Sequence, residues 1–297
     1  MAYASDYGSN AAPPRASGPT GRQLLRATWD LLRADRELLW LPVIGGLAAL
    51  AALVLVVGPA LAIGWAAGNA PAGGVVGAVV GMFVSATVAV YFQAALVLGA
   101  FQRADGYDPS LSSTLTQAWA VRRQVLQWGL LSTTVGLTIR VVERRLGFIG
   151  ALIGFLGGLA WAIASFFTVP VLVAEGLGPI DATRRSVALM KQVWGSGLRS
   201  SLRLGFVGLV LVVGCYVPLA AGVFILASGT TAGVGIGTAL IVVGVLALLA
   251  VGMILSAVYG YARALLYRFA VGRPVPGIPA ELYAGAFVPK RRWGRRR

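Results

Sequence analysis

The sequence contains no histidine, a single cysteine and few charged residues. Histidine is the side chain that enzymes use most often for acid–base chemistry near neutral pH, and it is the commonest metal ligand. The lone Cys215 cannot form a disulfide within the chain or a pair of metal-binding thiolates. We therefore expect no enzymatic activity, no metal site and no cofactor.

Charged residues make up 12% of the 297 residues and apolar residues make up 58%. Soluble domains carry roughly 25% charged residues, so this chain is unusually poor in charge. Three stretches without any charged residue, 39–102, 146–174 and 204–262, cover about half of the chain, and one membrane span needs about 20 apolar residues. The composition predicts an all-α, polytopic membrane helix bundle.

Polar or glycine-rich breaks at 68–74 and 228–235 divide the first and third stretches. A shorter segment, 124–140, contains several glutamine, serine and threonine residues and is either a further span or a re-entrant segment. We choose six transmembrane helices, with short amphipathic interfacial helices on the cytoplasmic side. The spans are placed near 39–66, 75–101, 124–140, 146–172, 204–227 and 236–262.

The predicted spans belong to one membrane domain, residues 21–273, with a tail on each side. Residues 1–20 are rich in serine, glycine, proline and alanine and lack the apolar run of a signal peptide, so we expect a disordered tail. Residues 274–297 form a basic tail that we place in the cytoplasm.

Basic residues are distributed unevenly over the loops that six spans create. With both termini in the cytoplasm, 22 of the 25 lysine and arginine residues lie inside, and the three outside are in segment 140–145. Cytoplasmic loops carry such an excess of positive charge in most membrane proteins. Arginine far outnumbers lysine, and alanine, glycine and valine are abundant, which is typical of bacterial genomes rich in G and C. We expect the inner (plasma) membrane of a bacterium.

The cytoplasmic segments repeat a pattern in which a proline opens a short amphipathic stretch before an apolar hairpin. The prolines are Pro19, Pro109 and Pro179, and Asp108 is placed to cap the second helix. The pattern indicates three copies of an interfacial helix followed by two spans. Alternatively, loops between spans often contain such helices without any repeat.

The third stretch, 179–194, has the clearest helical spacing of apolar residues. We expect it to lie on the inner leaflet, with its apolar stripe buried in lipid and its cations near phosphates. The stripe is Ile180, Val187, Met190 and Trp194. The candidate headgroup contacts, here and in the tail, are Arg184, Arg185, Lys191, Lys290, Arg291 and Arg292.

The segment from Pro170 to Gly195 resembles a recurring feature of a broad group of bacterial multi-pass membrane proteins of unknown function. The group includes the membrane region found beside some glycerophosphodiester phosphodiesterases. The positions that carry the resemblance are Pro170, Glu175, Gly176, Arg185, Ser186 and Trp194. The resemblance implies the fold and no activity, because the chain has neither the phosphodiesterase domain nor the histidine of its acid–base pair.

Two functions fit the sequence. The first is a non-enzymatic integral membrane protein that interacts with anionic lipid headgroups or with an envelope partner. The alternative is a permease or channel for an uncharged or lipid-like molecule, for which Gln93 is the candidate intramembrane polar residue. We expect no carboxylate in the core of a span, which disfavours ion-coupled transport. Nucleic acid is not an expected partner, because the basic run is short and Trp293 is its only aromatic residue.

Overall fold

A computed structural model describes residues 36–193 and 197–276. In these two ranges the chain forms nine α-helices after a 3-10 turn at Arg36–Leu39, and it forms no strand, so the predicted all-α class is confirmed there. The helices are α1 Trp40–Ala66, α2 Ala70–Ala104, α3 Leu111–Ala120, α4 Arg122–Arg145, α5 Gly147–Ala164, α6 Thr168–Glu175, α7 Pro179–Val193, α8 Gly197–Leu226 and α9 Thr231–Ala270.

The long helices pair as three hairpins: α1–α2, α4–α5 and α8–α9. Each turn contains a glycine in the left-handed conformation, which residues with a Cβ adopt only at a cost. Polar side chains then begin two of the returning helices, because Asn69 and Thr230 each accept a hydrogen bond from a backbone N–H three residues later. The glycines are Gly68, Gly147 and Gly229.

Glycines also form the seam between α1 and α2. Gly73, Gly77 and Gly81 all face α1, where a methyl group on Gly73 would collide with the carbonyl oxygen of Ala60. A methyl group on Gly81 would lie 2.9 Å from a methyl carbon of Val57. Small residues let two helix backbones approach closely where no water or polar group drives them together. The four-residue glycine spacing therefore packs this hairpin.

Six segments are long and apolar enough to cross a membrane, which confirms the predicted number. The segment predicted at 124–140 is one continuous helix, α4, of 24 residues. At 1.5 Å per residue it is about 36 Å long, which is enough for a full span. The six segments are Glu37–Ala66, Ala70–Ala104, Arg122–Arg145, Ile149–Glu175, Gly208–Leu226 and Ala232–Ala270.

The extended α4 includes one carboxylate, which lies near the end of the helix and outside the core of the span. Helix α4 continues to Arg145, so Glu143 lies within it, less than one turn from its end. Glu143 is partly buried against α5, where Gly154 leaves the space that its side chain occupies. The helix continues past the predicted end because its cationic last turn favourably faces the negative end of the helix dipole.

The span predicted at 146–172 is interrupted. Helix α5 ends at Ala164 and α6 begins at Thr168, and Pro170 lies in the first turn of α6, where its missing N–H is tolerated. Two other intramembrane prolines, Pro59 and Pro218, lie inside α1 and α8 and end neither helix. The second predicted cap is also different, because Ser110 caps α3 and Asp108 instead pairs with Arg103.

The described part of the bundle has two different ends. The three hairpin turns lie together at one end, which we call the hairpin end, because α4 is antiparallel to α2 and α9 is parallel to it. Gly129 of α4 meets Thr87 and Arg140 meets Met82, whereas Gly260 of α9 meets Leu96 and Arg268 meets Phe101. We call the opposite end, with α3, α6 and α7, the core end.

Large buried side chains concentrate at the core end, where all three hairpins meet. They include Leu38, Leu41, Leu96, Phe167, Leu172, Leu189, Tyr261 and Leu265. Toward the hairpin end, the buried residues are small ones in the seams within each hairpin, such as Gly81, Gly154 and Cys215. Large apolar side chains there are exposed, which suits contact with lipid chains rather than with water.

Candidate functional site at the core end

Helix α7 occupies most of the predicted amphipathic stretch 179–194, but its apolar face has a different partner. Its buried residues are Ala182, Ser186, Leu189 and Met190, which pack into the bundle. Of the stripe predicted to enter lipid, Met190 is 8% exposed, Val187 is partly buried and Ile180 is 58% exposed. Met190 and part of Val187 therefore pack against helices of the same chain, whereas Ile180 remains exposed; Trp194 lies outside the described residues.

The cations of α7 lie on its exposed face. Arg184 pairs with Asp181 at 3.2 Å, one turn apart and in the open, where such pairs contribute little to stability. Lys191 is exposed and has no ion-pair partner among the residues that the structure describes. The other predicted headgroup contacts, Lys290, Arg291 and Arg292, lie outside the described residues.

Glu175 joins three helices. Its Oε1 accepts two hydrogen bonds, one from the hydroxyl of Tyr267 at 2.9 Å and one from Nε of Arg185 at 3.3 Å. Gly176 follows in the left-handed conformation and ends α6, so the chain can turn into α7. The carboxylate thereby ties α6 to α7 and α9, and Arg185, a candidate lipid contact, is committed to this ion pair.

Ser186 supplies a hydrogen-bond acceptor at the break between α5 and α6. The backbone N–H of Phe167 has no helical acceptor, and it donates instead to the hydroxyl of Ser186 at 2.9 Å. Both residues are completely buried. A buried N–H without an acceptor costs about 1–3 kcal/mol, so this bond makes the break tolerable. Ser186, like Glu175 and Arg185, is a position that carries the family resemblance, and all three serve this junction.

Arg268 forms a second junction at the end of α9. Its side chain is 4% exposed, and its guanidinium donates to the carboxylate of Asp105 at 2.6 Å, the carbonyl of Pro274 at 3.1 Å and that of Phe101 at 3.4 Å. The hydrogen bond from Arg268 lowers the pKa of Asp105, and the positive charges of Arg268 and Arg273 lower it further. Partial burial of the carboxyl raises the pKa, but this effect is smaller than that of the hydrogen bond. The arginine fixes α9 to the end of α2.

Arg263, one turn before Tyr267, has no such partner. Its guanidinium carbon lies 5.2 Å from the ring centre of Phe166, at the α5–α6 break. Its Nε is buried and makes no hydrogen bond, and no carboxylate of the described residues pairs with it. The sequence did not single out Arg263, because it is one of several cations that follow the last apolar run.

Gln93 does not assemble a polar site in the described part of the bundle. It is partly buried on α2 and makes no hydrogen bond to another described residue. The neighbouring Tyr91 uses its hydroxyl to hold α3, donating to the carbonyl of Leu115 at 2.9 Å. Within residues 36–193 and 197–276, no three histidine, cysteine or acidic side chains come together as metal ligands.

Comparison with known proteins places the chain in one group. No curated protein and no solved structure matches it. A family model described as a family of unknown function, DUF6159, matches residues 73–275. This region begins in α2 and includes both junctions and Arg263. Because the match covers more than half of the sequence, the chain belongs to the DUF6159 family of unknown function.

Proposed function

We propose that the protein is a non-enzymatic membrane protein whose core end binds anionic lipid headgroups at the cytoplasmic leaflet. The observation that carries the proposal is the arrangement of α7. Its apolar face is used up by packing in the bundle, and the opposite face presents Arg184 and Lys191 outward. Because the apolar face packs against protein and not lipid, the bundle holds the helix in place with its cations on the outer surface.

The charge distribution supports the same end of the bundle. Arg140, Arg144 and Arg145 lie at the hairpin end, whereas the other described basic residues lie at or near the core end. Each cation near an anionic leaflet contributes roughly 1 kcal/mol of attraction, and salt screens it. The predicted orientation, with both termini inside, brings the core end to the leaflet that carries more anionic lipid.

The test compares lipid preference in the double variant R184Q/K191Q with that in the wild type. The purified full-length protein is mixed with equal amounts of phosphatidylglycerol and phosphatidylcholine in mild detergent, and the bound lipids are counted by native mass spectrometry. Losing two cations removes up to about 2 kcal/mol, so we expect the preference for phosphatidylglycerol to fall by up to roughly 30-fold.

The matched control removes two cations at the other end of the bundle, in R144Q/R145Q. Its preference should stay close to that of the wild type, and added salt should weaken the preference in both proteins. Equal binding of the two lipids by the wild type would contradict the proposal. An equal loss in the control would show that total charge, and not the core end, determines lipid choice.

A permease or channel remains the alternative, but no described polar cluster favours it. The further relationship to the membrane region beside some phosphodiesterases also stays a prediction. It concerns the junction residues, since Glu175, Arg185 and Ser186 hold the α6–α7 connection together. If that relationship holds, its members share this junction as an element of the fold and not as a catalytic site.

A further inference from the structure

Arg263 is a cation in a costly position. The Nε of its side chain is buried without a hydrogen bond, and its guanidinium carbon lies over the ring of Phe166. Phe166 offers the face of its ring to the cation but no negative charge. A partly buried guanidinium without an anion is unfavourable, and no carboxylate of the described residues pairs with it.

The depth of Arg263 matches that of a phosphate layer. Trp40 and Trp65, at the two ends of α1, are both exposed, as tryptophans at membrane interfaces are. Leu38, two residues before Trp40, packs on Gly99 of α2, and Gly260 of α9 packs on Leu96, one turn away from Gly99. Since α9 runs parallel to α2, Arg263, three residues past Gly260, lies at the depth of Gly99 and Leu38. This depth is slightly nearer the membrane surface than that of Trp40.

Arg263 also lies where two hairpins meet. Phe166 lies in the break between α5 and α6, so it follows the α4–α5 hairpin. Tyr259, one turn before Arg263, places its hydroxyl against Gly208 of α8, in the other hairpin. From this point toward the hairpin end, α5 exposes Leu159, Leu156 and Leu152. A molecule held at Arg263 could therefore extend along an apolar helix surface.

We propose that Arg263 binds the phosphate of one anionic phospholipid, whose acyl chains lie against α5 and the α8–α9 hairpin. A guanidinium can donate two parallel hydrogen bonds to phosphate oxygens, and Phe166 holds it in place. The site deepens the proposed function and rests on it, because it requires an anionic lipid as partner. It differs from the exposed row on α7 in being partly buried, so salt screens it less.

The experiment counts the phospholipid that survives a high-salt wash. Full-length wild type, R263Q and the control R144Q, an exposed arginine at the hairpin end with the same exchange, are immobilised in detergent with phosphatidylglycerol and washed at high salt, and the extracted lipid is measured per chain. We expect the wild type and R144Q to retain one phosphatidylglycerol per chain and R263Q to retain none. A parallel wash contains inorganic phosphate.

Retention by R263Q equal to that of the wild type, or no salt-resistant lipid on the wild type, would overturn the site. Displacement by inorganic phosphate would mean that it takes a free anion and not a lipid. Failure of the proposed function looks different, because the wild type would then show no phosphatidylglycerol preference even at low salt. If R263Q does not fold, R263K decides: it keeps the charge but loses the fork, so its affinity should fall about tenfold. Unchanged affinity in R263K would contradict the assignment.

Discussion

At the scale of single residues, the core end depends on satisfying polar groups that the fold buries. Ser186 supplies the acceptor that the α5–α6 break removes from Phe167, and Arg268 satisfies two carbonyls as well as a carboxylate. These bonds join residues 6 to 167 positions apart in the sequence. Removing one partner leaves the other buried without a partner, which costs more than the bond itself contributes.

The first residue-scale prediction concerns S186A. The N–H of Phe167 loses its acceptor, so we expect the free energy of unfolding to fall by about 1–3 kcal/mol. Thermal unfolding in detergent measures the change. The control is S112A on α3, an exposed serine whose hydroxyl shares one exposed hydrogen bond with that of Ser110, and it should leave the midpoint nearly unchanged. Equal midpoints for S186A and the wild type would mean that the break needs no cap.

The second residue-scale prediction uses the lowered pKa of Asp105. A carboxyl whose pKa is lower in the folded state stabilises the protein above its unfolded pKa, about 3.9, and loses that contribution as the pH falls through the folded pKa. The difference in unfolding free energy between wild type and D105N should therefore be constant above about pH 5 and shrink in more acidic solution. A difference that stays constant down to pH 3 would contradict the ion pair with Arg268.

At the scale of elements, glycines determine how closely the two helices of a hairpin approach. Gly73 and Gly64 meet across the α1–α2 seam, and Gly222 and Gly237 meet across the α8–α9 seam. The same glycine–glycine contact therefore occurs in two hairpins whose outer surfaces are exposed. The seams leave large apolar residues to face outward, so the hairpin surfaces are suited to lipid.

The element-scale prediction compares G73A with G46A. The added methyl group at position 73 meets the backbone of α1, which can move only by separating the helices, so we expect a loss of about 1–3 kcal/mol. At Gly46 of the same hairpin nothing lies within 4 Å, and alanine should be neutral or stabilising by up to about 1 kcal/mol. The measurement is thermal unfolding in detergent, and similar midpoints for both variants would rule out the glycine seam.

At the scale of the whole molecule, the sequence predicts the helical class and the number of spans, because uncharged runs have the length that a bilayer requires. It does not predict the break at 165–167, since Phe166 and Phe167 continue an apolar run and the compensating Ser186 lies in another helix. Periodicity identified α7 as amphipathic but could not distinguish lipid from protein as the partner of its apolar face. The sequence does not distinguish Arg263 from the neighbouring cations, because its contact with Phe166 is formed only in the folded bundle.

The central claim is that the core end faces the cytoplasmic leaflet, and its most direct test is the labelling of single cysteines in intact cells. Cys215 is the only native cysteine and is changed to serine; S228C then reports on the hairpin end and A188C on the exposed face of α7. With a membrane-impermeant maleimide, we expect S228C to be labelled in intact cells and A188C only after permeabilisation. Labelling of A188C in intact cells would contradict the account.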